Sequence, residues 1–158
     1  MHTYVALLRG IMPMNPNMRG EKLKGVFESL GFKNVHTVIA SGNVVFQTKS
    51  KDTKAMEKKV EQALLQKLKF SSTTIIRSRE EIEALVKKDP FKGVRDEKPN
   101  YLLVTFFKAG KELCSVVDLG DSGSPKFMAA IEKKYGREIT SRTWKTVHRI
   151  LAKMEARD

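Results

Sequence analysis

Three short runs are apolar at consecutive positions: Val5 to Leu8, Ile75-Ile76, and Leu102 to Val104. A strand with one wet face alternates apolar and polar residues, whereas a strand covered on both faces reads as continuous apolar chain. These runs therefore predict strands held between layers, and they argue against an open sheet face offered to a ligand. The chain has 158 residues, enough for one domain with a proper core or two small subdomains sharing one.

The order of elements follows from periodicity and punctuation. Residues 3–9 read as a strand closed by Gly10 and the loop "PMNP". Leu23, Val26, Phe27 and Leu30 mark the inward face of a helix, with Gly31 as its stop. "NVHTVIASGNVVFQT" (34–48) predicts two strands joined by a tight turn at Ser41-Gly42-Asn43. A second helix carries Met56, Val60, Ala63, Leu64 and Leu68, capped by Asp52, and 72–78 forms a fourth strand. That β-α-β-β-α-β order is the ferredoxin-like arrangement.

The second half begins with a capping box at Ser78 to Glu81 and a helix ending at Asp89-Pro90. "YLLVTFF" and "ELCSVVDL" predict two strands around Ala109-Gly110. Two closing helices then start at Ser124-Pro125 and near Thr140. The expected fold is α+β: a ferredoxin-like first half, then a smaller α/β second half, with a mixed sheet covered by helices. Residues 1–158 are expected to form one compact domain, with possible subdomains at 1–78 and 79–158, and "KGVRDEKPN" (92–100) as a long loop.

A formal net charge of +12 favours polyanionic partners, nucleic acid or phosphate ligands among them, although such a surplus also serves solubility. The single cysteine, Cys114, excludes an intrachain disulfide and reads as a small core residue. The N-terminus reads as a strand rather than a signal peptide, and no apolar run reaches the ~20 residues that span a bilayer. The expectation is a cytoplasmic protein without a membrane partner.

Few constellations carry chemistry. Tyr4 and Phe46 occupy strands where RNA-recognition modules place stacking aromatics, but the glycine-aromatic pattern is missing and Phe46 reads as core. "GDSGSP" (120–125) resembles the segment around a trypsin-like serine over six residues only, in a chain too short and too helical for two β-barrels. His2, His36 and His148 are dispersed, with no metal-ligand spacing, and no Walker or Gly-x-Gly-x-x-Gly pattern occurs. No metal, cofactor or general base is predicted, and whether the protein is an enzyme stays open.

"TSRTWKTV" (140–147) holds the only tryptophan. Trp144, Val147, Leu151 and Met154 share one helical face, so the indole is expected to dock inward. Arg142, Lys145 and Arg149 form a cationic stripe beside that seam, with Thr140 or Ser141 as cap. A cation in the first turn opposes the helix dipole, so Arg142 calls for a carboxylate or an anion.

"YVALLRGI" (4–11), "LGFKNVHTVIASGNVVF" (30–46) and "GREITSRTWKTVHRI" (136–150) resemble the domain-of-unknown-function 1697 family of bacterial and archaeal proteins. The motifs are Leu7 to Ile11, Ser41 to Val44, and Ser141 to Thr146. Where the family often continues after Ile11 with glycines, this chain has Met12-Pro13-Met14-Asn15-Pro16. The resemblance implies an α+β fold of ferredoxin-like character and brings no reaction or ligand. Its motifs define a candidate anion site of Arg9, Ser41, Asn43 and Arg142, with Lys145 and Arg149 alongside. The competing explanation is that the arginines pin loops through carbonyl oxygens. The function favoured is weak binding of a phosphate-bearing ligand or nucleic acid through a basic surface. The alternatives are a small-molecule enzyme or a protein-interaction module, for which "IMPM" (11–14) is the feature to inspect.

Overall fold

Strand β1 (His2–Leu8) lies inside a four-stranded sheet of order β2-β3-β1-β4, where β2 is Lys33–Thr37, β3 Asn43–Thr48 and β4 Thr74–Ser78. Every pairing in it is antiparallel: β1 with β3, β1 with β4, and β2 with β3. The computed structural model describes residues 1–40, 42–118 and 123–156. A second sheet, of order β6-β5-β7, joins β5 (Asn100–Phe107) to β6 (Glu112–Asp118) and β7 (Ile139–Thr143), again antiparallel. Five α-helices accompany them among the described residues: α1 (Gly20–Ser29), α2 (Thr53–Leu68), α3 (Arg79–Lys88), α4 (Gly123–Tyr135) and α5 (Trp144–Glu155). The protein is α+β, as expected, but its strands form two antiparallel sheets and not the one mixed sheet predicted.

The doubly covered strands are explained by two cores. Tyr4, Ala6, Leu8, Val44, Phe46 and Ile76 pack under α1 and α2, against Leu23, Phe27, Val60 and Leu64. The opposite parity, Val5, Leu7, Val45 and Ile75, packs against Ile82 of α3, Val104 and Phe106 of β5, and Trp144, Val147 and Ile150 of α5. Tyr4 and Phe46 stack on each other inside the first core, 5.8 Å between ring centroids, so neither faces a ligand. Trp144 is buried, edge-on to Phe91 at 5.2 Å and to His148 at 4.7 Å. The indole docks, as its spacing predicts. Cys114 is half-buried against the second core, and burial, with help from Glu112, pushes its thiol pKa up, away from thiolate chemistry.

Local signals set most boundaries. Asp52 accepts from the Ala55 amide at the start of α2, and Ser78 and Glu81 form the full capping box of α3. Two expectations fail. The β2–β3 connection covers residues 38–42, longer than a tight two-residue turn, and is closed by Val38 N–H to the Asn43 carbonyl at 2.8 Å. More consequentially, residues 139–143 are a strand, where a helix was expected from Thr140. α5 starts only at Trp144, with Thr143 as its cap accepting from the Thr146 amide. The serine loop "GDSGSP" lies largely outside the described residues; α4 is already helical at Gly123, one residue before the expected cap Ser124.

The edge strand β4 is closed by side chains. Its Thr74 and Ile76 amides, two residues apart and so directed to the same side, donate to Glu61 at 2.8 Å and Glu57 at 2.9 Å. The two carboxylates stand one helical turn apart on α2. Lys108 from the β5–β6 turn pairs with Glu61 at 2.5 Å, and Lys54 donates to the Lys108 carbonyl and lies 3.5 Å from Glu57. An open edge would expose a template for foreign strands; here helix α2 occupies it. Glu57→Ala leaves a buried amide without an acceptor. Urea unfolding is expected to show about 1–3 kcal/mol of lost stability, and an unchanged midpoint would contradict this role.

Candidate functional site

The site predicted from the sequence is built where β1 ends, β3 begins and β7 runs past both. On β5, Val104 and Phe106 face the first sheet; their partners on β7 are Arg142 and Thr140, which therefore face it too. Arg142 points into the protein and is only 8% exposed. Its Nε donates to Asn43 Oδ1 at 2.5 Å. One terminal nitrogen donates to Thr140 Oγ1 at 2.7 Å and the Ser141 carbonyl at 2.8 Å, the other to the carbonyls of Leu8 at 2.9 Å and Gly42 at 3.3 Å. A guanidinium has five N–H groups, and each has an oxygen. No carboxylate pairs with it among the described residues. Burial pushes its pKa down to about 10, which leaves it charged at neutral pH.

The neighbours are shaped for this clasp. Asn43 is fully buried, and its amide also donates to the Val38 carbonyl at 2.9 Å. Gly42 has φ +84°, and a Cβ there would stand 2.6 Å from Ile11 Cγ1 and 2.9 Å from the Leu8 carbonyl, so no other residue fits without displacement. Arg9 reaches in the opposite direction, from the residue just after β1 to the Ile139 carbonyl at 3.0 Å and to Glu132 of α4 at 2.9 Å. β1 and β7 thus hold each other reciprocally. Ser41 lies outside the described residues.

Lys145 and Arg149 are elsewhere. They are exposed on α5, and Lys153 continues their row at the same spacing. Arg142 is not part of that stripe, because it belongs to β7. None of the three α5 cations makes an ion pair among the described residues. Arg149 and Lys153 border an open groove of about 460 Å³ whose other wall is Thr37, Val38 and Ile39. A second, smaller cleft of about 100 Å³ lies across the same loop, between Ile39 and Pro13, Arg19 and Leu23. The structure therefore brings Asn43 and Arg142 to one buried clasp, ties half-buried Arg9 to Ile139 and Glu132 beside it, and puts Lys145 and Arg149 on a separate wet face.

The family model described as "Protein of unknown function (DUF1697)" matches residues 1–135. The chain belongs to this family. Its fold is similar to that of a solved structure, the conserved bacterial protein SP0830 from Streptococcus pneumoniae, with a TM-score of 0.71 over 98% of this chain and 99% of that one, at 19% identity. At that identity the likeness concerns the fold. No curated protein matches the sequence. The first two motifs of this DUF1697 chain fall inside the matched stretch, and the third, which carries Arg142, lies beyond it.

Sequence reasoning missed Lys153 and Arg19, both legible as lone cations beside apolar residues but lacking a motif. It also missed Glu57 and Glu61, whose helical spacing of four was the available signal. Arg142→Lys replaces a planar fork by a point charge with three donors. It is expected to cost about 3–5 kcal/mol in urea unfolding, because several buried oxygens lose their donor; a cost below about 1 kcal/mol would mean that the clasp is not structural.

Proposed function

We propose that the protein binds phosphate-bearing polyanions weakly through the exposed face of α5, with Lys145 and Arg149 as contacts, joined by Lys153, and with Arg9, Asn43 and Arg142 positioning the elements behind them. The observation that carries this reading is the division of labour among cations. Arg142 has all its donors engaged by protein oxygens, and Arg9 is bound to Glu132 and Ile139, whereas the α5 row has no partner among the described residues. Three cations at a four-residue spacing run along one side of a helix and present a line of charge, which is the geometry that follows a phosphodiester chain.

We also read residues 1–78 as ferredoxin-like, supported by the order β2-β3-β1-β4 with α1 and α2 joining its strands. The whole chain is read as one domain, supported by a second core that draws on both sheets.

Salt-titrated fluorescence anisotropy with labelled single-stranded RNA and duplex DNA tests the binding reading. The wild-type protein is expected to bind, and the variant Lys145→Gln/Arg149→Gln/Lys153→Gln to bind more weakly, with a log–log salt slope lower by about 2–3. Equal slopes in the two proteins would place the binding elsewhere or reduce it to diffuse charge.

A further inference from the structure

Cations alone do not account for what surrounds them. Among the described residues eight large hydrophobic side chains are exposed, and three of these gather at one place: Met12 at 65%, Met14 at 91% and Ile39 at 43%. Pro13, between the two methionines, lines the same small cleft as Ile39, and Ile11 packs over Gly42 of the Ile39 loop. Met12 and Met14 thus flank the residue that shares a cleft with Ile39. Ile39 has φ +57°, a left-handed conformation that β-branched residues rarely adopt, and it sits at the rim of both grooves. Arg19 borders the cleft on one side of Ile39; Arg149 and Lys153 border the groove on the other, with Lys145 one turn further along α5.

We infer that this face docks on an anionic lipid surface, with Met12, Met14 and Ile39 entering the interface and Arg19, Lys145, Arg149 and Lys153 on the headgroups. The inference rests on the polyanion reading above for its cations and adds the apolar tips. Charge complementarity selects an anionic partner. The tips select the kind: methionine and isoleucine cannot stack on bases as aromatic side chains do, and Trp144 beside the row is buried. Aliphatic tips ringed by Lys and Arg are the composition of a surface that lies on a bilayer. Such an arrangement differs from spanning one, and no described helix is long and apolar enough to cross. Each Lys or Arg near an anionic surface strengthens partitioning about fivefold, so four cations with three tips suffice for reversible attachment.

Vesicle co-sedimentation provides the test, with phosphatidylcholine vesicles with and without phosphatidylserine. The full chain is expected to sediment with the mixed vesicles and not with pure phosphatidylcholine. Met12→Ser/Met14→Ser and the triple variant adding Ile39→Asn, a residue at ease in the left-handed region, are expected to lose affinity, by about tenfold for the triple. Both should keep wild-type RNA anisotropy and a wild-type urea midpoint. RNA binding without vesicle binding by the wild type would overturn this inference and leave the polyanion reading standing. Failure with both probes would overturn both. Vesicle binding that the apolar substitutions leave unchanged would make the contact purely electrostatic and remove the tips from it.

Discussion

A guanidinium buried without a carboxylate is costly unless its whole hydrogen-bonding capacity is met, and the fold is arranged to meet it. Arg142 takes oxygens from β1, β3, the loop before β3 and its own strand. The β1–β3 ladder ends at Leu8 N–H to the Gly42 carbonyl at 2.8 Å, and Arg142 bonds the carbonyls on both sides of that last rung. The second sheet is fastened to the first at this point by hydrogen bonds, while Trp144, two residues on, fastens it by packing. Gly42 must be glycine because its φ is positive and Ile11 and the Leu8 carbonyl crowd it, and Asn43 must offer Arg142 an acceptor.

The clasp also separates two kinds of positive charge that the sequence runs together. Arg142 and Lys145 are three residues apart, yet a strand ends and a helix begins between them. One is consumed in holding the sheets. The other stands in water with Arg149, and half-buried Lys153 continues the row. A net charge of +12 is thus no single reservoir: Arg9, Arg77 and Lys108 pair with Glu132, Glu112 and Glu61, and the α5 row makes no ion pair among the described residues.

Much of the fold was legible. Consecutive apolar residues at Val5 to Leu8 announced a strand between layers, and capping chemistry at Asp52 and Ser78 placed two helices. β7 was not legible, because "ITSRT" carries one strongly apolar residue and its hydroxyls imitate a helix cap; its strand character comes from pairing with β5, a non-local contact. Mistaking it put Arg142 on the wrong element. The motifs Leu7 to Ile11, Ser41 to Val44 and Ser141 to Thr146 each contribute a residue to one place, since Leu8, Gly42, Asn43 and Arg142 meet. The sequence left both a ligand and carbonyl oxygens open as partners of Arg142; the choice of the oxygens depends on burial, which no spacing reports.

Arg142 joins the two sheets, and hydrogen exchange reads that junction directly. Arg142→Met keeps an unbranched apolar stem of comparable reach and removes every donor. Exchange followed by mass spectrometry is expected to show coordinated loss of protection in residues 7–10, 42–45 and 139–143, with α2 and β4 protected as in the wild type. Loss confined to 139–143 would contradict it, showing that the arginine steadies only its own strand and that the first sheet does not need it.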